Sequence, residues 1–120
     1  TVRLEDFGLQ VVAFATPQEA IIKLAWELLF KKEPSVTAMF ADYQLSPIYT
    51  GDKLALEARR IRSDLSICIV STDDFFPTQL RYFEHEGYYI LRKPVGRERL
   101  GLVLSMILNG EHRPFSTYYP

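Results

Sequence analysis

The sequence predicts an α/β protein, a doubly wound parallel sheet with helices on both faces. Three observations lead to this fold class. Short apolar runs alternate along the chain with segments whose apolar residues recur at helical spacing. The apolar runs are almost uninterrupted, as expected of strands that are buried on both sides in a parallel sheet. The chain has 120 residues, which suits one such domain and is too short for two.

The predicted elements follow one another in a regular order. Thr16, Pro17 and Glu19 form a capping-box pattern, which predicts that a helix begins there. Gly87 and the Asn109-Gly110 pair are typical helix stops. In chain order we expect a strand at residues 9–14, a helix over 16–32, a strand at 36–41, a loop over 42–51, a helix over 52–61, a strand at 66–70, a helix ending at Glu86, a strand at 88–91 and a helix ending at Asn109.

Composition excludes several classes of protein. Hydrophobic residues make up 48% and charged residues 24%, which is a globular mix and not that of a disordered chain. The formal net charge of −1 provides no basic surface for nucleic acid or for an anionic membrane. No apolar run approaches the roughly 20 residues that span a bilayer, and the first residues lack the pattern of a signal segment. With a single cysteine, Cys68, we expect a cytoplasmic protein.

Polar side chains follow three of the predicted strands. Asp42 ends the second strand, Ser71 and Thr72 follow the third, and Lys93, which precedes Pro94, follows the fourth. Because the carboxyl ends of parallel strands meet at one edge of a sheet, we expect these groups to converge. A carboxylate can act there as a nucleophile or a metal ligand. A hydroxyl and an ammonium can hold the oxygens of a transferring phosphoryl group. Each residue alone is more typical of a turn, a cap or a solvated loop than of a functional site.

Three segments with their spacing carry a family resemblance. They are residues 41–46 around Asp42, residues 69–72 around Ser71 and residues 91–95 around Lys93; the three named residues are 29 and 22 positions apart. In this order they resemble the receiver domain of two-component signalling. The resemblance covers about residues 4–109, and the stretch from Gly87 to Pro94 is especially similar to receivers at the C-terminus of hybrid histidine kinases.

The resemblance implies a fold and a phosphoacceptor. The fold would be flavodoxin-like, with a receiver-like domain at residues 1–110 and a tail at residues 111–120. Asp42 would accept a phosphoryl group from a histidine kinase or a histidine phosphotransfer protein, as one step of a phosphorelay. Ser71, with Thr72 beside it, would bind the phosphoryl oxygens and shift as a switch. Lys93 would pair with the phosphoryl charge.

Two further features are implied only by the resemblance. The peptide bond between Lys93 and Pro94 would be cis. Asp42 and the backbone carbonyl of Gln44 would bind Mg²⁺, the family's cofactor.

The chain departs from the family at its beginning. Residues 1–8 resemble the end of the family's first helix, with Gly8 as its stop, so the first strand and its acidic pair are missing. Glu5 and Asp6 lie in that helix end, and we do not take them as metal ligands. The missing strand would lie between the strands at residues 9–14 and 36–41. Either these two strands pair directly, or another chain fills the gap as a homodimer or by strand exchange, or further residues precede this sequence. Mg²⁺ binding should be weak, because Asp42 is the only carboxylate assigned to the site.

Two other functions compete with the phosphoacceptor. A pseudo-receiver would use the same surface for protein interaction without phosphorylation, and the missing acidic pair favours it. A small α/β enzyme or flavin-binding domain is disfavoured, because the scattered glycines do not form a phosphate-binding loop.

Four sequence features lie outside the predicted site. We expect Cys68 to be buried in its strand and His85 and His112 to lie on the surface. Trp26 falls off the apolar stripe of its helix and is either an interface anchor or partly buried against a loop. The aromatic tail either docks on the domain or a partner, or is a free end.

Overall fold

The computed structural model describes residues 3–8, 10, 12–30 and 36–119. In chain order it contains a 3₁₀ turn at Leu4–Phe7, helix α1 at Pro17–Phe30, strand β1 at Ala38–Asp42, strand β2 at Gln44–Ser46, strand β3 at Tyr49–Thr50, helix α2 at Gly51–Ile61, strand β4 at Ser66–Ser71, helix α3 at Pro77–His85, strand β5 at Tyr89–Arg92, helix α4 at Arg97–Asn109 and a second 3₁₀ turn at Phe115–Thr117.

The centre of the fold is a three-stranded parallel sheet in the order β1-β4-β5. Asp42 lies opposite Val70 in the first pair of strands, and Ser71 lies opposite Arg92 in the second. The middle strand β4 is buried on both faces, with Ile67, Cys68 and Ile69 fully inaccessible, which explains its unbroken apolar sequence. The predicted α/β class and its parallel sheet are confirmed.

A short antiparallel hairpin occupies the segment that the sequence predicted as a loop. It consists of β2 and β3, which have three residues and two residues. Strands this short leave no readable period in a sequence, so the loop prediction was wrong here. The Tyr49 hydroxyl donates a hydrogen bond to Glu57 at 3.1 Å and ties the hairpin to α2. Burial and this carboxylate raise the pKa of Tyr49 to about 12.

The strand predicted at residues 9–14 does not form in the part of that segment that the structure describes. Gln10 and residues 12–14 are exposed and belong to no strand, while Leu9 and Val11 lie outside the described residues. Within the described chain β1 pairs only with β4, so this segment has no ladder to join. An isolated strand has no partner for its backbone groups, which is why β propensity alone does not produce one.

The predicted helices are present and begin as the sequence indicates. At the start of α1 the Glu19 amide donates to the Thr16 hydroxyl at 3.3 Å, and the Glu19 carboxylate accepts from the Ala15 amide at 3.3 Å. In α2 the buried face consists of Leu54, Ala55 and Ala58, and the helix packs against β1 and β4. Helix α4 packs against β5 and ends at Gly110, whose φ of 63° is the left-handed conformation that glycine favours.

The core lies between the sheet and these helices. Phe83 and Tyr88 are almost inaccessible, and Phe75 contacts Phe83 edge to face with ring centroids 5.0 Å apart. Cys68 is fully buried as predicted, and burial raises the pKa of its thiol. Trp26 is exposed, with 47% of its surface accessible.

The C-terminal tail docks on the domain. Phe115 and Tyr118 are each only 6% exposed and belong to the core cluster. Of the alternatives that the sequence left open, docking on the domain is therefore the one that the structure contains. Among the described helices, none combines the length and the apolar character needed to cross a membrane.

Candidate functional site

The polar residues predicted at the strand ends come together at one edge of the sheet. Asp42 ends β1, Ser71 ends β4 and Lys93 directly follows β5. The Lys93 Nζ atom lies 2.9 Å from the Asp42 Oδ1 atom. A pocket of about 180 Å³ opens at this point, lined by Asp42, Gln44, Val70, Ser71, Thr72, Asp73 and Lys93.

Backbone hydrogen bonds hold the strand ends in place. The Tyr43 amide donates to the Val70 carbonyl at 2.8 Å, and the Lys93 amide donates to the Ser71 carbonyl at 2.8 Å. These bonds continue both parallel ladders past the last strand residues. The site therefore stands on the rigid end of the sheet and not on free loops. The peptide bond between Lys93 and Pro94 is cis.

The Ser71 hydroxyl is buried and oriented by the loop that follows β4. Ser71 is only 6% exposed, and its Oγ atom accepts a hydrogen bond from the Asp73 amide at 3.0 Å. A hydroxyl that accepts one bond still has its own hydrogen to donate. Ser71 can therefore donate to an anion in the pocket while its oxygen stays fixed. Thr72 lines the same pocket and is exposed.

Gly51 allows the chain to return close to Asp42. The Gly51 amide donates to the Tyr43 carbonyl at 2.6 Å. A Cβ atom at Gly51 would lie only 2.5 Å from the backbone oxygen of Asp42, a distance that real Cβ atoms do not adopt. This close approach joins the first turn of α2 to the end of β1.

The ion pair in the pocket is open to solvent. The side chains of Asp42 and Lys93 are 54% and 40% exposed. Exposed pairs of this kind contribute only about 0–1 kcal/mol to stability, because water and salt screen them. Lys93 can therefore exchange Asp42 for another anion at little cost in folding free energy.

Two contacts around the pocket were not found by sequence reasoning. Arg92, the neighbour of Lys93, forms an ion pair with Asp74 in the loop after β4. Gln79 of α3 donates to the Tyr43 hydroxyl at 3.3 Å. The pKa of Tyr43 is raised by burial, with a smaller contribution from Asp52. The signal available in the sequence was the run of four polar residues from Ser71 to Asp74, which by itself is most typical of a helix cap.

The pocket brings few carboxylates together for a divalent cation such as Mg²⁺. Two carboxylates line the pocket, Asp42 and Asp73, and Asp42 is already paired with Lys93. In the described ranges no three His, Cys, Asp or Glu side chains come together in a way that could hold a metal ion. Hard divalent cations need about six oxygen ligands, so most of them would have to come from water or a phosphodonor.

Comparison with known proteins adds no assignment: no family model matches the chain, and neither the curated proteins nor the solved structures give a match.

The pocket has the chemistry of an anion-binding nucleophile site. It combines a carboxylate with an ammonium at contact distance and a buried hydroxyl that can donate. A carboxylate of this kind can attack an activated phosphorus atom. An ammonium and a hydroxyl beside it can stabilise the charge that builds on the phosphoryl oxygens during transfer.

Proposed function

We propose that this chain is a receiver domain of two-component signalling, which takes a phosphoryl group from a histidine kinase or a histidine phosphotransfer protein onto Asp42. The fold that goes with this function is a flavodoxin-like sheet. The closest context suggested by the sequence is the C-terminal part of a hybrid histidine kinase in the cytoplasm. The observation that carries the proposal is the 2.9 Å contact between Asp42 and Lys93 beside the buried Ser71 hydroxyl.

The groups in the pocket and the phosphohistidine donor account for every bond that forms or breaks in the proposed transfer. An Asp42 carboxylate oxygen attacks the phosphorus atom, and a phosphorus–oxygen bond forms as the phosphorus–nitrogen bond of the phosphohistidine breaks. The imidazole of the donor keeps the electron pair of the broken bond. Lys93 moves from the carboxylate to the phosphoryl oxygens, since these now carry the greater negative charge. Ser71 donates its hydroxyl hydrogen to the same group and acts as the switch.

The first experiment is labelling with a small phosphodonor. The chain is incubated with acetyl phosphate in the presence of Mg²⁺, and its intact mass is measured together with that of Asp42→Asn. We expect one added phosphoryl group on the parent chain and none on the variant. Asp64→Asn is the matched control, because Asp64 is an exposed carboxylate before the start of β4 and outside the pocket, and this variant should still be labelled.

The result also decides the role of magnesium. Labelling in Mg²⁺ that is lost in a chelator would establish the metal requirement that the resemblance implies. Labelling of Asp42→Asn to the same extent as the parent would eliminate Asp42 as the phosphoacceptor.

A pseudo-receiver is the second candidate, and the small donor set of the pocket favours it. In that case the pocket surface binds a protein partner through the Asp42–Lys93 edge without phosphoryl transfer. A folded chain that takes up no phosphoryl group from acetyl phosphate or from a phosphorylated histidine kinase would support this second candidate over the first.

A further inference from the structure

The loop that leads away from the candidate site is short and exposed. Residues 72–74 follow Ser71 at the end of β4 and are all exposed, and the chain becomes buried again at Phe75, which is 8% exposed. At the start of α3 the Phe76 amide donates to the side-chain oxygen of Gln79 at 2.8 Å. The core and α3 therefore fix the far end of the loop, whereas residues 72–74 depend on their own contacts.

Polar contacts to Ser71 and Arg92 hold this exposed stretch. Near its start the Asp73 amide donates to the Ser71 Oγ atom at 3.0 Å. At its end the Asp74 carboxylate accepts a hydrogen bond from the Arg92 guanidinium and forms an ion pair with it. Ser71 and Arg92 lie opposite each other in the register of β4 and β5. The ion pair therefore ties the loop that begins on β4 to the neighbouring strand.

The contact with the Asp73 amide orients the hydroxyl that lines the pocket. A hydroxyl oxygen that accepts a hydrogen bond from an amide keeps its own hydrogen as a donor. Ser71 lines the pocket together with Asp42 and Lys93, so this hydrogen is available to an anion bound there. If residues 72–74 moved away, the amide would leave Ser71 and the hydroxyl would be free to rotate. A donor that is already oriented stabilises a charged transition state better than one that must first be oriented.

We propose that Arg92 is a positioning residue, which acts on the candidate site through its ion pair with Asp74. The ion pair keeps the loop in the conformation that presents the Asp73 amide to the Ser71 oxygen. The Ser71 hydroxyl is then held ready to donate to the phosphoryl oxygens. This role rests on the proposed function, because the phosphoryl group is the anion that the hydroxyl serves, but the effect on the Asp73 amide can be measured without it.

A direct effect of the Arg92 charge on the pocket is the competing explanation. The two explanations predict different results for Asp74→Asn. If the loop contact matters, this variant breaks the ion pair and slows phosphoryl labelling. If only the charge matters, the variant removes a negative charge while Arg92 stays, so an anionic phosphodonor reacts at the parent rate or faster.

The test is the initial rate of labelling by acetyl phosphate in Mg²⁺, followed by intact mass. The side chains of Arg92 and Asp74 are 38% and 74% exposed. Because an exposed ion pair shifts a local equilibrium only modestly, we expect Arg92→Gln and Asp74→Asn each to react about three- to fivefold more slowly than the parent. Arg92→Lys keeps a charged partner for Asp74 and should recover part of the rate. Arg81→Gln is the matched control and should react like the parent, because Arg81 is exposed on α3 and does not line the pocket.

The Ser71→Ala variant shows whether the effect passes through the hydroxyl. Removal of this donor should slow labelling by about 10²-fold. In the Ser71→Ala background, Arg92→Gln and Asp74→Asn should cause no further loss, since the group on which they act is already missing. The positioning role is overturned if Asp74→Asn is labelled at least as fast as the parent, or if Arg92→Gln slows the Ser71→Ala chain as much as it slows the parent.

Exchange of the Asp73 amide with water separates this inference from the proposed function. Magnetisation transfer from water, measured by NMR, follows this amide in the full chain without a phosphodonor. We expect exchange at least about threefold faster in Arg92→Gln and Asp74→Asn, with the Lys93 amide, which donates to the Ser71 carbonyl, unchanged. A parent chain that takes no label counts against the proposed function alone. An Asp73 amide that exchanges at the parent rate in both variants overturns the positioning role, whatever the labelling shows.

Discussion

At the scale of single residues, the Asp42–Lys93 ion pair lies at the centre of the proposed phosphoryl-transfer site but contributes little to the stability of the fold. The two charged atoms lie 2.9 Å apart, but both side chains are about half exposed. An exposed pair contributes little to the free energy of unfolding, whereas the same ammonium next to a transferring phosphoryl group acts on a much larger charge. Loss of Lys93 should therefore affect function far more than stability.

Lys93→Met tests this separation. We expect the rate of phosphoryl labelling to fall about 10²-fold, because one electrostatic donor is lost. The free energy of unfolding should change by no more than about 1 kcal/mol, as measured by urea denaturation. Lys53→Met is the matched control, since Lys53 lies on α2 and its ammonium donates to the Ile48 carbonyl of the hairpin. Equal loss of labelling in both variants would contradict a specific role for Lys93.

Cys68 differs from the exposed Asp42–Lys93 pair, because its thiol is potentially reactive but is not accessible to solvent. It is fully buried in β4, and burial raises the pKa of its thiol. Because the thiolate is the reactive form, we expect native Cys68 to react with a thiol reagent at pH 8 at least about 10³-fold more slowly than in denaturant. The absorbance change of a chromogenic thiol reagent measures both rates. Fast reaction of the folded chain would show that β4 opens to solvent.

At the scale of elements, the approach of α2 to β1 depends on Gly51. Its missing side chain leaves room for the Asp42 carbonyl, which a Cβ atom would meet at 2.5 Å. Gly51 is buried, and its close neighbour is the backbone of Asp42. A strain introduced at Gly51 should therefore be felt at the end of β1, beside the pocket.

Gly51→Ala is expected to destabilise the fold by about 1–3 kcal/mol, the usual cost of forcing atoms into a packed space. Thermal or urea unfolding followed by circular dichroism measures this cost. Gly96→Ala is the control, because Gly96 has a φ of −80° and open space around its would-be side chain. We expect a change within about 1 kcal/mol there. A variant at Gly51 as stable as the parent would mean that the α2–β1 junction relaxes freely.

At the scale of the whole molecule, the docked tail links stability to pH through His112. Burial, with a smaller contribution from the Arg59 charge, lowers the pKa of His112 from 6.5. The unfolded chain therefore binds a proton at a higher pH than the folded chain does. This contribution to stability is fully present above about pH 6.5 and is lost as the pH falls from there towards the lowered pKa.

The pH dependence is measured by urea midpoints at pH 7.5 and pH 5.5. We expect the parent to lose stability between the two, and His112→Gln to lose less, because it has no proton to take up at this position. His85→Gln retains His112 and should keep the dependence of the parent. A His112 variant with the full dependence of the parent would assign the effect to other groups.

Across the whole molecule, local sequence patterns predicted most of the helices and strands but not all of them. The helices α1, α2 and α4 were predicted within a few residues, because capping residues and apolar spacing act within one or two turns. Strands β1, β4 and β5 were predicted from their apolar runs, which two-sided burial explains in the middle strand β4. The segment at residues 9–14 has the same composition, yet its described residues are not in a strand. A strand also needs a neighbour, and neighbours are not a local property.

By itself the sequence determined the α/β class, the order of most elements and the polar residues at the ends of three strands. These are properties of short segments, because burial imposes a regular spacing of apolar residues and helix ends favour particular capping residues. Only the tertiary structure decided that Lys93 contacts Asp42, that Asp74 pairs with Arg92 and that the tail docks on the core. Each of these contacts joins segments far apart in the chain. They arise when the sheet aligns its strand ends and the core places the tail, and no local pattern encodes that alignment.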